Sequence, residues 1–191
     1  MQRVMILGQP GAGKSTLALA MGEITGLPVV HIDHIHWESG WKERSRSEKT
    51  RLCAEVHARD RWIFEGGHSV TWPERLDRCD SLIWLDIPFT LRIRRVMLRS
   101  FRYWGRTRPD LPTGCPEQFS WEFYRWIWNT RKSGRSNIEA FVDTAPGTKA
   151  IYILRTLAET DVFLAKLRRE HPAPARLPPP DPKARVAGPP R

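Results

Sequence analysis

The chain has 191 residues, of which 40% are hydrophobic, and it carries a formal net charge of +10. This composition suits one domain with a core, and the absence of an apolar run near the roughly 18 residues that cross a bilayer argues against a membrane protein. The positive charge predicts an anionic partner, such as a nucleotide, a phosphorylated small molecule or nucleic acid. The three cysteines are widely spaced and form no C-x-x-C pair, which indicates reduced thiols and a cytoplasmic location.

The first predicted element is a strand over residues 4–7, which stops at a glycine-rich motif. Residues 8–15 read G-x-x-x-x-G-K-S, the P-loop pattern, and a helix-compatible segment follows from Lys14. Backbone N–H groups of such a loop point at phosphate oxygens, Lys14 would reach the β- and γ-phosphates, and the Ser15 hydroxyl would hold Mg²⁺. The sequence therefore predicts an ATP site made by Gly8, Gln9, Pro10, Gly11, Ala12, Gly13, Lys14, Ser15 and Thr16.

The second predicted strand, residues 29–33, ends in a cluster of polar residues. Ligands of open α/β sheets bind where the strands end, so Asp33 is a candidate substrate ligand or general base. The alternative is that Asp33 only caps the next segment. The neighbouring His31, His34 and His36 also raise the alternative of a metal site.

Two more strands are predicted over residues 62–65 and 81–86. Glu65 leaves an apolar strand at the sheet edge that would face the P-loop, a position that suits a carboxylate orienting Mg²⁺ directly or through water. The alternative is a strand-end carboxylate that accepts hydrogen bonds from backbone N–H groups.

A basic helix is predicted over residues 90–104. Its arginines 92, 95, 99 and 102 share one face, and we expect them to bind phosphate; the alternative is a solvated basic face. Apolar residues on the opposite face are predicted to be buried, namely Ile93, Met97, Phe101 and Trp104.

A Gly- and Pro-punctuated loop at residues 105–120, here called the lid loop, leads to a predicted helix over residues 121–135. We expect residues 100–135 to form a mobile lid over the phosphate site. The aromatic residues of this helix recur at helical spacing, which predicts a role in the core. The alternative is that they stack on bases of single-stranded nucleic acid.

A fifth strand at residues 150–154 and a final helix complete the predicted fold. It is an α/β P-loop sandwich of three layers, with a five-stranded parallel sheet, helices on both faces and a helical, arginine-rich lid, over residues 1–170. Residues 171–191 are rich in proline and poor in apolar side chains, which predicts a disordered basic tail.

Several runs give the chain a resemblance to known proteins: GQPGAGKST, HIDHIHW, WIFEGGHS and RTRPDLPTGCPEQFSWEFYRWIW. The chain resembles the adenylate-kinase-like P-loop kinases, and these runs are similar to the small bacterial family labelled DNA topology modulation protein. The resemblance covers residues 1–168 and implies that Arg95 and Arg99 contact ATP, because adenylate kinases place two lid arginines at these distances after a proline equivalent to Pro88. It implies the same role for Arg131 and Arg135.

One departure from adenylate kinases bears on the substrate. Their third strand is followed by an Asp-Gly-Phe-Pro-Arg element that grips the nucleoside monophosphate, whereas residues 65–68 read EGGH here. The missing arginine argues against AMP as the acceptor.

The residues and the resemblance together predict an ATP- and Mg²⁺-dependent phosphotransferase that acts on a small molecule, a nucleoside or a nucleotide. Lys14, Asp33, Arg95, Arg99, Arg131 and Arg135 would be its catalytic residues, Ser15 and Glu65 would hold Mg²⁺, and residues 34–60 would bind the acceptor. The alternative is an ATP-binding regulator that associates with nucleic acid, which the basic charge of the lid and tail would favour.

Overall fold

The computed structural model describes residues 1–108 and 110–172. The strands in this part of the chain are β1 (Arg3–Gly8), β2 (Val29–His31), β3 (Trp37–Glu38), β4 (Lys42–Glu43), β5 (Trp62–Glu65), β6 (Ser81–Leu85) and β7 (Ala150–Leu154). The helices are α1 (Lys14–Thr25), α2 (Ile32–His36), α3 (Arg46–His57), α4 (Trp72–Arg78), α5 (Phe89–Arg102), α6 (Trp121–Thr130), α7 (Ser133–Val142) and α8 (Leu157–Glu170). The predicted tail lies outside the described residues from position 173 onward.

Five strands form one parallel sheet in the order β2-β5-β1-β6-β7, which confirms the predicted fold class. The register pairs Ile6 and His31 with Glu65 and pairs Gly8 with Leu85. The carboxyl ends of these strands therefore meet at one edge, where ligands of such sheets bind. The second strand is shorter than predicted, because the chain turns into α2 after His31.

The sheet is covered on both faces, and alternate residues of β1 belong to different cores. Val4 and Ile6 pack with residues of α1 and α8, whereas Met5 and Leu7 pack with residues of α3, α4 and α7. All four side chains are buried. This is the pattern of a central parallel strand, in which both faces bury apolar side chains.

Helix α5 forms where it was predicted, but the prediction of its buried face was wrong. Phe101 is 84% exposed and Trp104 is 64% exposed, whereas Arg92 is only 2% exposed. The arginine face turns inward because backbone carbonyls satisfy the guanidinium groups: Arg92 donates to the carbonyl oxygens of Ile87 (3.0 Å) and Pro10 (3.2 Å). Periodicity identified the two faces, but the hydrogen-bond partners decided which one is buried.

The predicted helix over residues 121–135 is also corrected. Helix α6 ends at Thr130 and α7 begins at Ser133, so Arg135 lies on a different helix from the aromatic residues. Trp121, Trp126 and Trp128 are each more than half exposed, which contradicts the core role expected for them, and Ile127 is the buried residue of α6.

None of the helices in residues 1–108 and 110–172 is long and apolar enough to cross a membrane. The three cysteines are buried and unpaired, as the sequence predicted.

Replacing Gly11 with alanine is expected to destabilise the protein by about 2 kcal/mol or more, because Gly11 has a left-handed φ of +78°. A Cβ atom there would also lie 2.4 Å from the carbonyl oxygen of Arg92 in α5. Urea unfolding measures the loss. Gly147→Ala is the matched control, because a Cβ atom at Gly147 meets nothing within 4 Å. Equal stabilities of the two variants would contradict the close packing of the P-loop on α5.

Candidate active site

The P-loop connects β1 to α1 at the sheet edge where the strands end. The backbone N–H of Ala12 donates to the carbonyl of Gln9 (3.1 Å), and that of Leu17 donates to the carbonyl of Gly13 (2.9 Å), which closes the loop into the first turn of α1. All nine predicted residues, 8–16, line one cleft of about 1520 Å³. Helix N-termini of this kind bind phosphate.

Ser15, Glu65 and His31 form a hydrogen-bonded chain beneath this cleft. The Ser15 hydroxyl donates to Glu65 Oε1 (3.0 Å), which lies 2.8 Å from Nδ1 of His31. Burial alone would raise the pKa of Glu65, but the bond to His31 and the charge of Lys14 outweigh burial and lower it. Glu65 is therefore an ionised carboxylate that is 2% exposed.

A magnesium ion fits these residues. Mg²⁺ prefers oxygen ligands and is usually held by one or two carboxylates or hydroxyls together with substrate phosphates, and Ser15 and Glu65 present both kinds of oxygen 3.0 Å apart. Among the described residues, no group of three His, Cys, Asp or Glu side chains is placed to hold a metal ion by itself. His31, His34 and His36 do not form such a group.

The contact of His31 with Glu65 was not predicted from the sequence. Burial lowers the pKa of His31, but the hydrogen bond and charge of Glu65 outweigh burial, so its pKa is raised above 6.5. A raised pKa in the folded state means that protonated His31 stabilises the fold below pH 6.5 and that this stabilisation is lost as the pH rises through the raised value.

Replacing His31 with glutamine, which keeps a neutral donor for Glu65, is therefore expected to cost about 1 kcal/mol at pH 6. The difference in unfolding free energy between wild type and variant should shrink as the pH rises to 9. Urea titrations at several pH values measure it. His34→Gln is the matched control, since His34 is exposed in α2, the short helix that follows His31. If the difference in unfolding free energy between wild type and variant stayed constant or grew with pH, protonation of His31 would not be its cause.

Asp33 lies in the first turn of α2 and lines the same cleft as the P-loop. Burial and the charge of Glu65 raise its pKa, and the positive charge of Lys14 opposes them. Its backbone carbonyl accepts a hydrogen bond from the N–H of Trp37, the residue that ends α2. Asp33 therefore does not cap α2, whose N-cap is His31, and it lines the cleft from within the helix.

Arg95 and Arg99 of α5 also line the cleft. Arg95 donates to the P-loop carbonyl of Ala12 (3.3 Å), which places its guanidinium against the phosphate-binding loop. Arg99 lies 3.7 Å from the carboxylate of Glu117, and burial lowers its pKa. Both predicted arginines therefore line the cleft, Arg95 against the P-loop and Arg99 beside Glu117 of the lid loop.

Arg131 and Arg135 are placed elsewhere. They line a separate, smaller pocket that also contains Gln9 and Asp86. Arg135 bonds both carboxylate oxygens of Asp86 (2.9 and 2.8 Å), and the guanidinium of Arg131 stacks 4.0 Å from the centre of the Trp128 ring.

The lid loop contributes charged residues that sequence reasoning missed. Arg108 forms ion pairs of 2.7 Å with both Asp110 and Glu117, and Ser100 donates to Glu117 (2.9 Å). These residues lie within the predicted lid, but no periodic pattern marks their pairing. The electrostatic influence of Arg108 and Asp110 reaches Asp33 across the cleft.

The lid loop also contacts the β3–β4 hairpin. The N–H of Gly40 donates to the carbonyl of Gly114 (3.0 Å), Nε1 of Trp41 donates to the carbonyl of Pro116 (3.0 Å), and the Cys115 thiol donates to the carbonyl of Glu38 (3.2 Å). The hairpin, which lies within the predicted acceptor region, and the predicted lid thus touch at one side of the cleft.

Similarity to known proteins is found at the level of structure. No protein-family model matches the sequence, and no curated protein was found to be similar to it. Shikimate kinase from Acinetobacter baumannii, in complex with shikimate, superposes with a TM-score of 0.51 at 16% identity over 89% of this chain and 93% of that one. Shikimate kinase from Bacteroides thetaiotaomicron superposes with a TM-score of 0.55 at 17% identity over 88% and 97% of the two chains. At these identities the likeness establishes the fold, an α/β P-loop fold like that of these kinases.

Proposed function

We propose that the protein is an ATP- and Mg²⁺-dependent phosphotransferase that acts on a hydroxyl group of a small molecule, a nucleoside or a nucleotide. The observation that carries this proposal is that one cleft contains Lys14 and Ser15 of the P-loop together with the carboxyl residue Asp33, to which we assign the role of acceptor-side base. A P-loop that only bound nucleotide would not require that carboxylate.

Each residue of the cleft has a part in this reaction. P-loop N–H groups and Lys14 bind the donor phosphates, and Ser15 and Glu65 hold Mg²⁺, which neutralises phosphate charge when bound. Asp33 accepts the proton of the acceptor hydroxyl, whose oxygen then attacks the γ-phosphorus as the bond from that phosphorus to the leaving ADP oxygen breaks. Arg95 and Arg99 stabilise the charge that develops on the transferred group.

Three further points belong to this proposal. The resemblance in sequence supports membership of the family labelled DNA topology modulation protein. The three widely spaced cysteines, without a C-x-x-C pair, support a cytoplasmic location. The structural likeness to shikimate kinases supports a small acceptor that carries a hydroxyl group.

A transfer assay tests the proposed function. Purified protein is incubated with Mg²⁺ and ATP labelled at the γ-phosphate, beside a panel of nucleosides, nucleoside monophosphates and hydroxylated metabolites. We expect one class of acceptor to stimulate ADP release and to acquire the label. ATP binding without transfer to any acceptor would contradict the proposal.

One observation favours the alternative of nucleic-acid binding. Phe101, Trp121 and Trp128 are exposed near basic residues of α5 and α6, and exposed aromatic rings with arginines bind single-stranded nucleic acid. Such binding would weaken steeply as the salt concentration rises. Elution from a single-stranded DNA matrix at low salt would exclude it, and the comparisons with known proteins give it no support.

A further inference from the structure

One wall of the cleft faces the P-loop from the predicted acceptor region. It is formed by α2, the β3–β4 hairpin and the segment that follows β5. The side chains that line the cleft there include Asp33, His36, Trp37, Trp41, His68 and Trp72, which are here called the acceptor wall. Three of them, Asp33, His68 and Trp72, lie outside the predicted acceptor region of residues 34–60.

The acceptor wall carries no lysine or arginine: none of the described cleft-lining residues within 32–41 and 66–72 is of either type. Most nearby basic groups are engaged elsewhere. Arg108 of the lid loop, whose charge acts on Asp33, pairs with Asp110 and Glu117, whereas the exposed Arg46 acts on His68. Lys49 pairs with Glu43 (2.5 Å), Arg44 donates to the carbonyls of His34, Ile35 and Trp37 (2.9 to 3.1 Å), and the fully buried Arg75 donates to the carbonyl of Gly66 (3.0 Å).

The two histidines of the wall do not supply a positive charge at neutral pH. Burial and the charge of Lys49 lower the pKa of His36, and the same two causes lower the pKa of His68. Asp33 is then the charged side chain of the wall, and a second anion placed beside it would be repelled.

Three tryptophans give the wall its apolar surface. The indole nitrogens of Trp41 and Trp72 already donate to backbone carbonyls, those of Pro116 (3.0 Å) and Gly67 (3.2 Å). Trp37 packs edge-on to Trp41, with ring centres 5.4 Å apart. Because the indole N–H groups of Trp41 and Trp72 already have acceptors, the apolar ring faces are the part of the wall that suits a planar ligand.

Backbone strain is concentrated on the same wall. Among residues 1–108 and 110–172, the non-glycine residues with left-handed φ are Trp41 (+61°) and His68 (+62°). Such conformations are unfavourable and persist where the surroundings enforce them, often at ligand sites. Both of these residues line the acceptor wall.

Resting on the phosphotransferase function proposed above, we propose that the acceptor is an uncharged molecule that carries a hydroxyl group and a planar ring, of the nucleoside class. Its ring packs against the tryptophans of the acceptor wall, and its hydroxyl bonds to Asp33. Nucleoside monophosphates and carboxylates such as shikimate are disfavoured, because the wall offers their anions no cation.

Calorimetric binding measurements test this inference on the full chain, with Mg²⁺ and a non-hydrolysable ATP analogue present. The probes are adenosine, guanosine, cytidine and thymidine, their 5′-monophosphates, and shikimate. We expect at least one nucleoside to bind about tenfold or more tighter than its monophosphate and than shikimate. Equal or tighter binding of an anion, or binding of none of the nucleosides, would overturn the inference.

Two variants show whether the ring contacts the wall. Trp37→Leu and Trp72→Leu should each weaken nucleoside binding by about tenfold, the order expected for loss of a stacked ring. Trp104→Leu is the matched control, because Trp104 is exposed and does not line the cleft. Unchanged affinity in both wall variants would overturn the stacking.

The two proposals can fail separately. If the phosphotransferase function is wrong, nucleosides bind but acquire no label from ATP in the transfer assay. If the acceptor class is wrong, label is transferred to an anionic acceptor in preference to a nucleoside.

Discussion

Replacing Lys14 with alanine is expected to lower phosphate transfer on the order of 10³-fold, because a fixed positive charge that stabilises the transition state is lost. The side chain starts at the first residue of α1 and lines the cleft with Asp33. The Lys14 ammonium donates to the carbonyl oxygen of Gln9 over 3.4 Å, which is long for a hydrogen bond. Little of the stability of the fold therefore depends on it. The fold should therefore be retained, and initial rates of labelled product measure the effect.

The control for this variant is Lys166→Ala, which removes the same charge from an exposed position on α8. It should transfer phosphate at the wild-type rate. Comparable rates in the two alanine variants would show that the P-loop lysine takes no part in transfer, and the proposed function would then fail.

Replacing Asp33 with asparagine is expected to lower kcat by about 10²- to 10⁴-fold, the range typical of losing a general base. ATP affinity should change little, because the P-loop is intact. The substitution keeps the size of the side chain and removes its charge. Single-turnover rates and ATP binding together measure the effect, and Asp143→Asn, at an exposed position after α7, is the matched control.

The pH dependence of the wild-type transfer rate is a second test of the Asp33 carboxylate. Transfer requires the Asp33 carboxylate, and burial beside Glu65 raises its pKa. The rate should therefore fall as the pH falls through a value above 3.8, and this acidic limb should disappear from the residual activity of Asp33→Asn. If Asp33→Asn showed the same acidic limb in its pH–rate profile, that limb would arise from the titration of another group.

Local sequence was sufficient to predict the elements that form the phosphate-binding half of the site. The glycine spacing between a short apolar strand and a helix fixes the P-loop, and strand ends of a parallel sheet meet at one edge. That reasoning placed Glu65 near Ser15, and the structure joins them by a hydrogen bond. Asp33 was placed at the same edge, although it lies in a helix rather than in a strand.

The parts that could not be predicted depend on contacts between distant segments. The inward direction of the α5 arginines depends on P-loop carbonyls more than 80 positions away in the chain. The contacts of Glu117 with Ser100 and Arg99 depend on how the lid loop folds back on α5. Neither leaves a periodic signal, and the hydrophobic pattern of α5 pointed to the wrong buried face.

Alternate residues of β1 pack in two different cores. Neighbours in the chain therefore need not be coupled energetically. Ile6 and Leu7 are adjacent, yet they pack with different helices on opposite faces of the sheet. Ile6 and Ile63 are far apart in sequence and share one core. Effects of substitutions on stability are additive when residues share no packing partners and non-additive when they do. Epistasis in this domain should therefore follow the faces of the sheet and not the order of the chain.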